Sequence, residues 1–257
     1  MNKRFLKQLK TLTMGSALLL LAACSKDDNS NQTPATSISY GSFVKVGNGQ
    51  ARSYIVKNAD GSPAEIGFNF TEDALSGLPE HNTAYVLPMP ADNKSIINHI
   101  SFDYTVHGHG PEGVYNVPHF DVHYYMISES EKDAIGTSET DPKIDILPAA
   151  QFIPKNYIPG ANEPKMGKHW ADTTAAEFHG KKFEKTFIYG SYNGKFIFLE
   201  PMIALDYLKT KPNVTLPIAQ GAKIQQIALV PQQYAIEWQK DRREYTISLN
   251  DLKLRQQ

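Results

Sequence analysis

The chain has 257 residues, with 26 lysines and arginines against 27 aspartates and glutamates, and a single cysteine. A formal charge of −1 offers no basic surface on which to expect nucleic acid or an anionic membrane as partner. One cysteine excludes an internal disulfide and a multi-thiolate metal site.

The first ten residues, MNKRFLKQLK, carry Lys3, Arg4, Lys7 and Lys10 and no acid, and the short apolar run TLTMGSALLLLAA follows. The run is too short to span a bilayer and reads as a secretory leader over residues 1–23. It ends in LAAC, residues 21–24, which resembles the lipobox of bacterial lipoproteins, with cleavage before Cys24 and a lipid on that cysteine. The next residues, SKDD, resemble the export signal of surface lipoproteins. The resemblance implies an outer-membrane lipoprotein, facing either the periplasm or the cell surface. Without the basic leader the charge falls to about −5, which again argues against nucleic acid. Residues 24–36 are polar and lack large apolar side chains, so they read as a flexible tether. Residues 37–257 then form a single β-rich domain, since no second low-complexity linker interrupts them.

The texture of that domain is β: tyrosine, phenylalanine and dispersed proline, with little helical periodicity. Asn48-Gly49 and Asp60-Gly61 each lie between alternating runs and predict hairpins. TEDALSGLPE predicts a short helix, capped by Thr71 and stopped by Gly77 and Pro79. TAYVLPMP reads as a strand ended by prolines. In SIINHISFDYTVHGH, Ile100, Phe102, Tyr104 and Val106 share one face. His99, Ser101, Asp103, Thr105 and, if the strand extends so far, His107 and His109 share the other. In PHFDVHYYMI, Phe120, Val122 and Tyr124 make the apolar face and His119, Asp121 and His123 the polar one. Prolines 148, 154, 159 and 164 exclude a central strand and predict an extended surface segment that delivers MGKHWAD, with His169, to a site. Asn193-Gly194 predicts a two-residue hairpin between aromatic-rich strands. KIQQIALV and YAIEWQ read as two late strands, and KDRRE as a turn into YTISLNDL. The fold class is mainly β, an antiparallel sandwich or barrel-like domain with one or two short helices.

Four of the eight histidines, His107, His109, His119 and His123, fall within residues 107–123. On an extended strand His119 and His123 stand about 13 Å apart, too far to share one ion without a bend. His109 follows the turn-forming Gly108 and can fold back over His119, while His169 and Glu200 can arrive from elsewhere. The metal candidates are therefore His109, His119, Asp121, His123, His169 and Glu200, with Asp121 a ligand or a support for an imidazole. Such nitrogen and oxygen donors suit zinc, copper, iron, nickel or manganese. Against this stands a metal-free polar network of His, Asp and Tyr. Singly, His81 reads as a turn residue, His99 and His179 as exposed, and Trp170 as packing. Glu200 can equally pair with a lysine across its hairpin. No phosphate-binding glycine loop and no G-x-S-x-G elbow is present.

GHGPEGVYNVPHFDVHYYM, MGKHWAD and FIYGSYNGKFIFLEPMI together resemble a family of exported bacterial proteins of unknown function, one of them a thermophile protein under sigma-E/anti-sigma-E control. The resemblance covers about residues 66–205. It implies a β-rich domain and a shared histidine site, matching His109, Tyr115, His119, Asp121, His123, His169, Trp170, Asp172 and Glu200. His107 and Glu112 fall outside its pattern. It implies no activity. The functional expectation is a lipid-anchored protein with a transition-metal site, zinc first, for metal-assisted hydrolysis or redox chemistry. The alternatives are a non-enzymatic envelope module, with a homo-oligomer among its expected forms, whose histidines form a polar network, and a carbohydrate- or ligand-binding lipoprotein that uses its tyrosines.

Overall fold

A computed structural model describes residues 36–256. The expected leader, Cys24 and all but the last residue of the tether lie outside the described residues. Fourteen strands follow in chain order: β1 (Ser37–Tyr40), β2 (Val44–Val46), β3 (Gly49–Lys57), β4 (Pro63–Thr71), β5 (Thr83–Pro88), β6 (His99–Thr105) and β7 (His119–Tyr125). Then come β8 (Tyr157–Glu163), β9 (Gly167–Asp172), β10 (Lys185–Tyr192), β11 (Lys195–Ala204), β12 (Asn213–Pro217), β13 (Ala228–Gln239) and β14 (Glu244–Arg255). Two short α-helices, α1 (Glu129–Asp133) and α2 (Leu205–Lys209), accompany them.

The strands form two antiparallel seven-stranded sheets, so the expected sandwich is found. The first runs β1-β3-β4-β14-β13-β12, with β2 beside β3; the second runs β5-β6-β7-β11-β10-β9-β8. Their facing sides interdigitate. Phe68 and Phe70 of β4 meet Phe102 of β6 at ring-centroid distances of 4.9 and 5.1 Å, and Phe187 of β10 meets Tyr234 of β13 at 5.0 Å. The Tyr124 hydroxyl donates to the Ile247 carbonyl across the layers at 2.8 Å. The apolar faces read from alternation in β6 and β7 are those that build this core. The histidine-bearing face of the second sheet consequently points away from the sandwich.

Asn193 and Gly194 both adopt positive φ, 49° and 74°, and Tyr192 pairs with Lys195, so this hairpin has the expected two-residue turn. Several expectations need correction. The β2–β3 turn uses Gly47 and Asn48, one residue earlier than expected, because Val46 pairs with Gly49. Thr71 precedes a short 3-10 helix, Glu72–Leu75, but caps nothing; its hydroxyl accepts from the Gln50 amide instead. KIQQIALV and YAIEWQ are not two strands. Residues 228–239 make one strand, β13, and β12 was missed. The proline-rich segment does form a strand at its end, β8, but on the sheet edge, with a register irregularity between Pro159 and Asn162.

Candidate metal centre

The outer face of the second sheet is covered at both ends and open between. At one end Tyr115, Phe183, Ile188, Met202 and Ala204 form a small apolar cluster. At the other, Tyr125, Ile135, Ile144, Ile197 and Phe198 form a second. Between them lies a cavity of about 810 Å³ whose floor carries His109, Asp121, His123, His169 and Glu200.

Sheet register explains this assembly. Ser101, Asp103 and Thr105 of β6 lie opposite His123, Asp121 and His119 of β7. On the far side of β7, the pairs Leu199–Tyr124 and Met202–Asp121 bring Glu200 of β11 beside His123. Glu200 pairs onward with Ile188 of β10, and Gly190 of β10 pairs with His169 of β9. A β-carbon on Gly190 would lie 1.9 Å from the Phe198 ring, so glycine lets that ring lie across the sheet. There it meets His123 at 4.9 Å and His169 at 5.3 Å. His109 arrives differently. β6 ends at Thr105, and Gly108, at φ 71°, has space for no β-carbon because the Tyr115 carbonyl would sit 1.9 Å away. The loop turns back there and sets the His109 ring 4.9 Å from that of His119.

The six candidates divide into two sets of three, each with two imidazoles and one carboxylate: His109, His119, Asp121 and His123, His169, Glu200. Within each set the potential ligand atoms all lie within 4.8 Å of one another. In the first, Asp121 presents Oδ1 to His119 Nε2 at 3.0 Å and Oδ2 to His109 Nε2 at 3.5 Å. In the second, Glu200 Oε2 stands 3.5 Å from His123 Nε2 and 3.8 Å from His169 Nε2. Donors that share an ion at about 2.1 Å are about 3.0 Å apart at a right angle and about 3.4 Å apart at the tetrahedral angle. The observed spacings fall in and just above that range. His119 Nε2, Asp121 Oδ1, both nitrogens of His123 and Glu200 Oε2 are buried with no hydrogen-bond partner. Proximity without hydrogen-bond alignment is what convergent metal donors show and what a closed polar network avoids.

Supporting groups fix the ligands. The His119 and His109 Nδ1–H groups donate to the carbonyls of Val117 at 2.7 Å and Gly110 at 2.8 Å, which leaves each Nε2 lone pair free. Thr105 Oγ1 donates to Asp121 at 2.9 Å. Asp103 Oδ2 lies 3.0 Å from His123 Nδ1, and the Ser101 hydroxyl donates to the other carboxylate oxygen, Oδ1. Burial opposes a charge on Asp121, but the closeness of the His109 and His119 imidazoles prevails and holds its carboxyl well below the usual range. Burial pushes Glu200 up to about 8, only partly offset by His123. Burial lowers His123, yet Glu200 and Asp103 carry it up to about 9. His109 also reaches about 9, where burial is outweighed by Asp121. His169, desolvated and facing His123, falls to about 4.

Outside the sets, His107, Glu112, His81 and His179 are exposed. His99 is not, contrary to expectation; it is 2% exposed and stacks on Tyr125 at 4.8 Å. Trp170 packs in the core and donates to Ser191 at 2.8 Å. Asp172 caps a turn through Thr174. Glu200 turns to the imidazoles, and no lysine faces it among its described ion pairs. Sequence reasoning placed Asp103 on the histidine face but gave it no role, and it missed Glu177, a buried acid that accepts from the Tyr115 hydroxyl at 3.1 Å.

Residues 58–104 match a family model described as TTHB210-like, hypothetical protein TTHB210. The match is similarity over less than half of the chain, running from the β3–β4 loop into β6, and it includes Asp103 but none of the six ligand candidates. No curated protein and no solved structure matches the chain.

Proposed function

We propose that the chain is an exported, lipid-anchored protein whose sandwich binds transition-metal ions, zinc first, in the two sets and uses them for metal-assisted hydrolysis in the cavity above. One observation carries the reading: two separate groups of two imidazoles and one carboxylate, each too few to close a coordination shell, open onto one cavity, with His119 Nε2, Asp121 Oδ1, His123 Nε2 and Glu200 Oε2 otherwise unsatisfied. Three protein ligands leave a position for water or substrate. The same ligand type also suits iron with redox chemistry, so the metal is decided by measurement. A metal bound here supplies a Lewis acid, or a water of lowered pKa. The chain's own part is to orient and enclose. Asp103 and Thr105 hold His123 and Asp121, the Val117 and Gly110 carbonyls fix the imidazole tautomers, and the Tyr115 and Phe198 clusters limit water at either end.

Anchoring rests on the LAAC run ahead of Cys24, with the polar stretch that follows as tether. The Cys24→Ser variant then loses membrane association, and one that remains in the membrane fraction defeats that part. For the metal reading, elemental analysis of untagged protein should find about two ions per chain, absent from the His119→Ala/His123→Ala variant. No metal in the parent after reconstitution with zinc, iron, manganese and copper would leave the histidines as a polar network.

A further inference from the structure

The walls of the cavity differ in kind from its floor. Ile158, Met166, Phe178 and Pro111 line it from the β8–β9 hairpin and the neighbouring connections, and Ile188 and Met202 stand beside the carboxylates on the sheet itself. Two of these, Ile158 and Phe178, are 53% and 36% exposed, so the rim is apolar as well. Large apolar side chains at a concave rim lose contact with water only when something fills the space. The carboxylates Asp103, Asp121, Glu163 and Glu200 face the space together with the imidazoles of His109, His123 and His169. No lysine or arginine lines it among the described residues, and the nearby Lys168 is turned to Asp145 at 3.3 Å. The Tyr115 hydroxyl is already given to Glu177, so the wall next to His109 offers little to a polyhydroxylated molecule.

We infer that this cavity takes a largely apolar small molecule, which packs its body against the apolar lining and turns a single polar end to the imidazoles and carboxylates. The volume, about 810 Å³, lies in the range of clefts that enclose a drug-sized molecule. The inference deepens the proposed function by naming its substrate class. The polar end rests on that reading, whereas the apolar body does not.

The test uses the neutral fluorophore N-phenyl-1-naphthylamine on the full chain, stripped with chelator and then reloaded with zinc, with metal content measured on each sample. Metal-free protein should bind the probe saturably. The rim variants Phe178→Ser and Ile158→Asp should each weaken the neutral probe about tenfold with unchanged thermal unfolding. On zinc-loaded protein, benzohydroxamate should compete at least about tenfold better than acetohydroxamate, which shares its polar end but lacks the ring. Absence of probe binding, rim variants without effect, or equal hydroxamates would each overturn the inference. Probe binding in a protein that takes up no metal would defeat the metal reading and leave the substrate class standing. Zinc uptake without probe binding would do the reverse.

Discussion

His119 and His123 share one face of β7, in continuous register with β6, yet each serves a different ligand set. The strand keeps them about 13 Å apart along its axis. Its unbroken pairing, Thr105 with His119 through Ser101 with His123, contains no bulge that would close the gap. The single variants His119→Ala and His123→Ala should therefore each remove one of two metal ions and spare the other. Metal counts on the purified variants check this. A single variant that loses both ions would mean that the sets form one coupled centre.

Asp103 acts on the second set alone. Its carboxylate stands beside His123 Nδ1, while His119 takes its orientation from the Val117 carbonyl. Asp103→Asn keeps the shape but removes the charge that strengthens the imidazole as a donor. Metal affinity at the His123 set should fall by about 10–100-fold, with the His119 set unchanged. Competition against a chromophoric chelator resolves the two. Equal loss at both sets would show that the substitution damages the sheet rather than one ligand.

Much of this arrangement was legible in residue patterns, because a half-buried strand writes its two faces in alternation. Phe120, Val122 and Tyr124 against His119, Asp121 and His123 located both the core and the site floor. The strand rise also showed that His119 and His123 could share one ion only if the strand bent, and the continuous pairing of β7 with β6 divides the single expected site into two. What alternation cannot express is which strands become neighbours. Glu200 and His169 reach His123 through the order β7-β11-β10-β9, a long-range pairing with no local signature. His99 read as exposed because nothing near it in sequence announces that the Tyr125 ring will cover it. The two late runs KIQQIALV and YAIEWQ read as separate strands, whereas the single strand β13 runs on through Pro231. The proline is tolerated because β12 pairs only with residues 233–237, which leaves the stretch at Pro231 with β14 alone.

Gly190 tests the link between packing and site. A β-carbon there would meet the Phe198 ring at 1.9 Å, well inside contact distance, in a fully buried position. Gly190→Ala should displace the ring and destabilise the protein by about 1–3 kcal/mol, the usual cost of overpacking. Because Phe198 touches both His123 and His169, metal should be lost from that set first. Thermal unfolding with and without zinc measures the two effects. A variant that unfolds like the parent would show that Phe198 moves aside at no cost.

The metal-free protein should lose stability as pH rises from neutral to alkaline. His123 and His109 titrate near 9 in the folded chain and near 6.5 when unfolded, since Glu200, Asp103 and Asp121 favour their charged forms. A pKa raised by folding contributes stability that is complete below the unfolded value and gone above the folded one, so this part declines between about 6.5 and 9. Glu200 has the same sign, with its share declining between 4.5 and about 8. Asp121 and His169, whose folded pKa values are lowered, add stability above their unfolded values and are constant across the alkaline window. The His109 share is reduced by its exposure, so His123 and Glu200 dominate. Metal ions replace those protons, so the loaded protein should lack the decline, and metal affinity should rise with pH over the same interval. Melting curves at pH 6, 7.5 and 9, with chelator and with zinc, measure both. Parallel pH dependence in the two series would show that the ions do not occupy the positions of these protons.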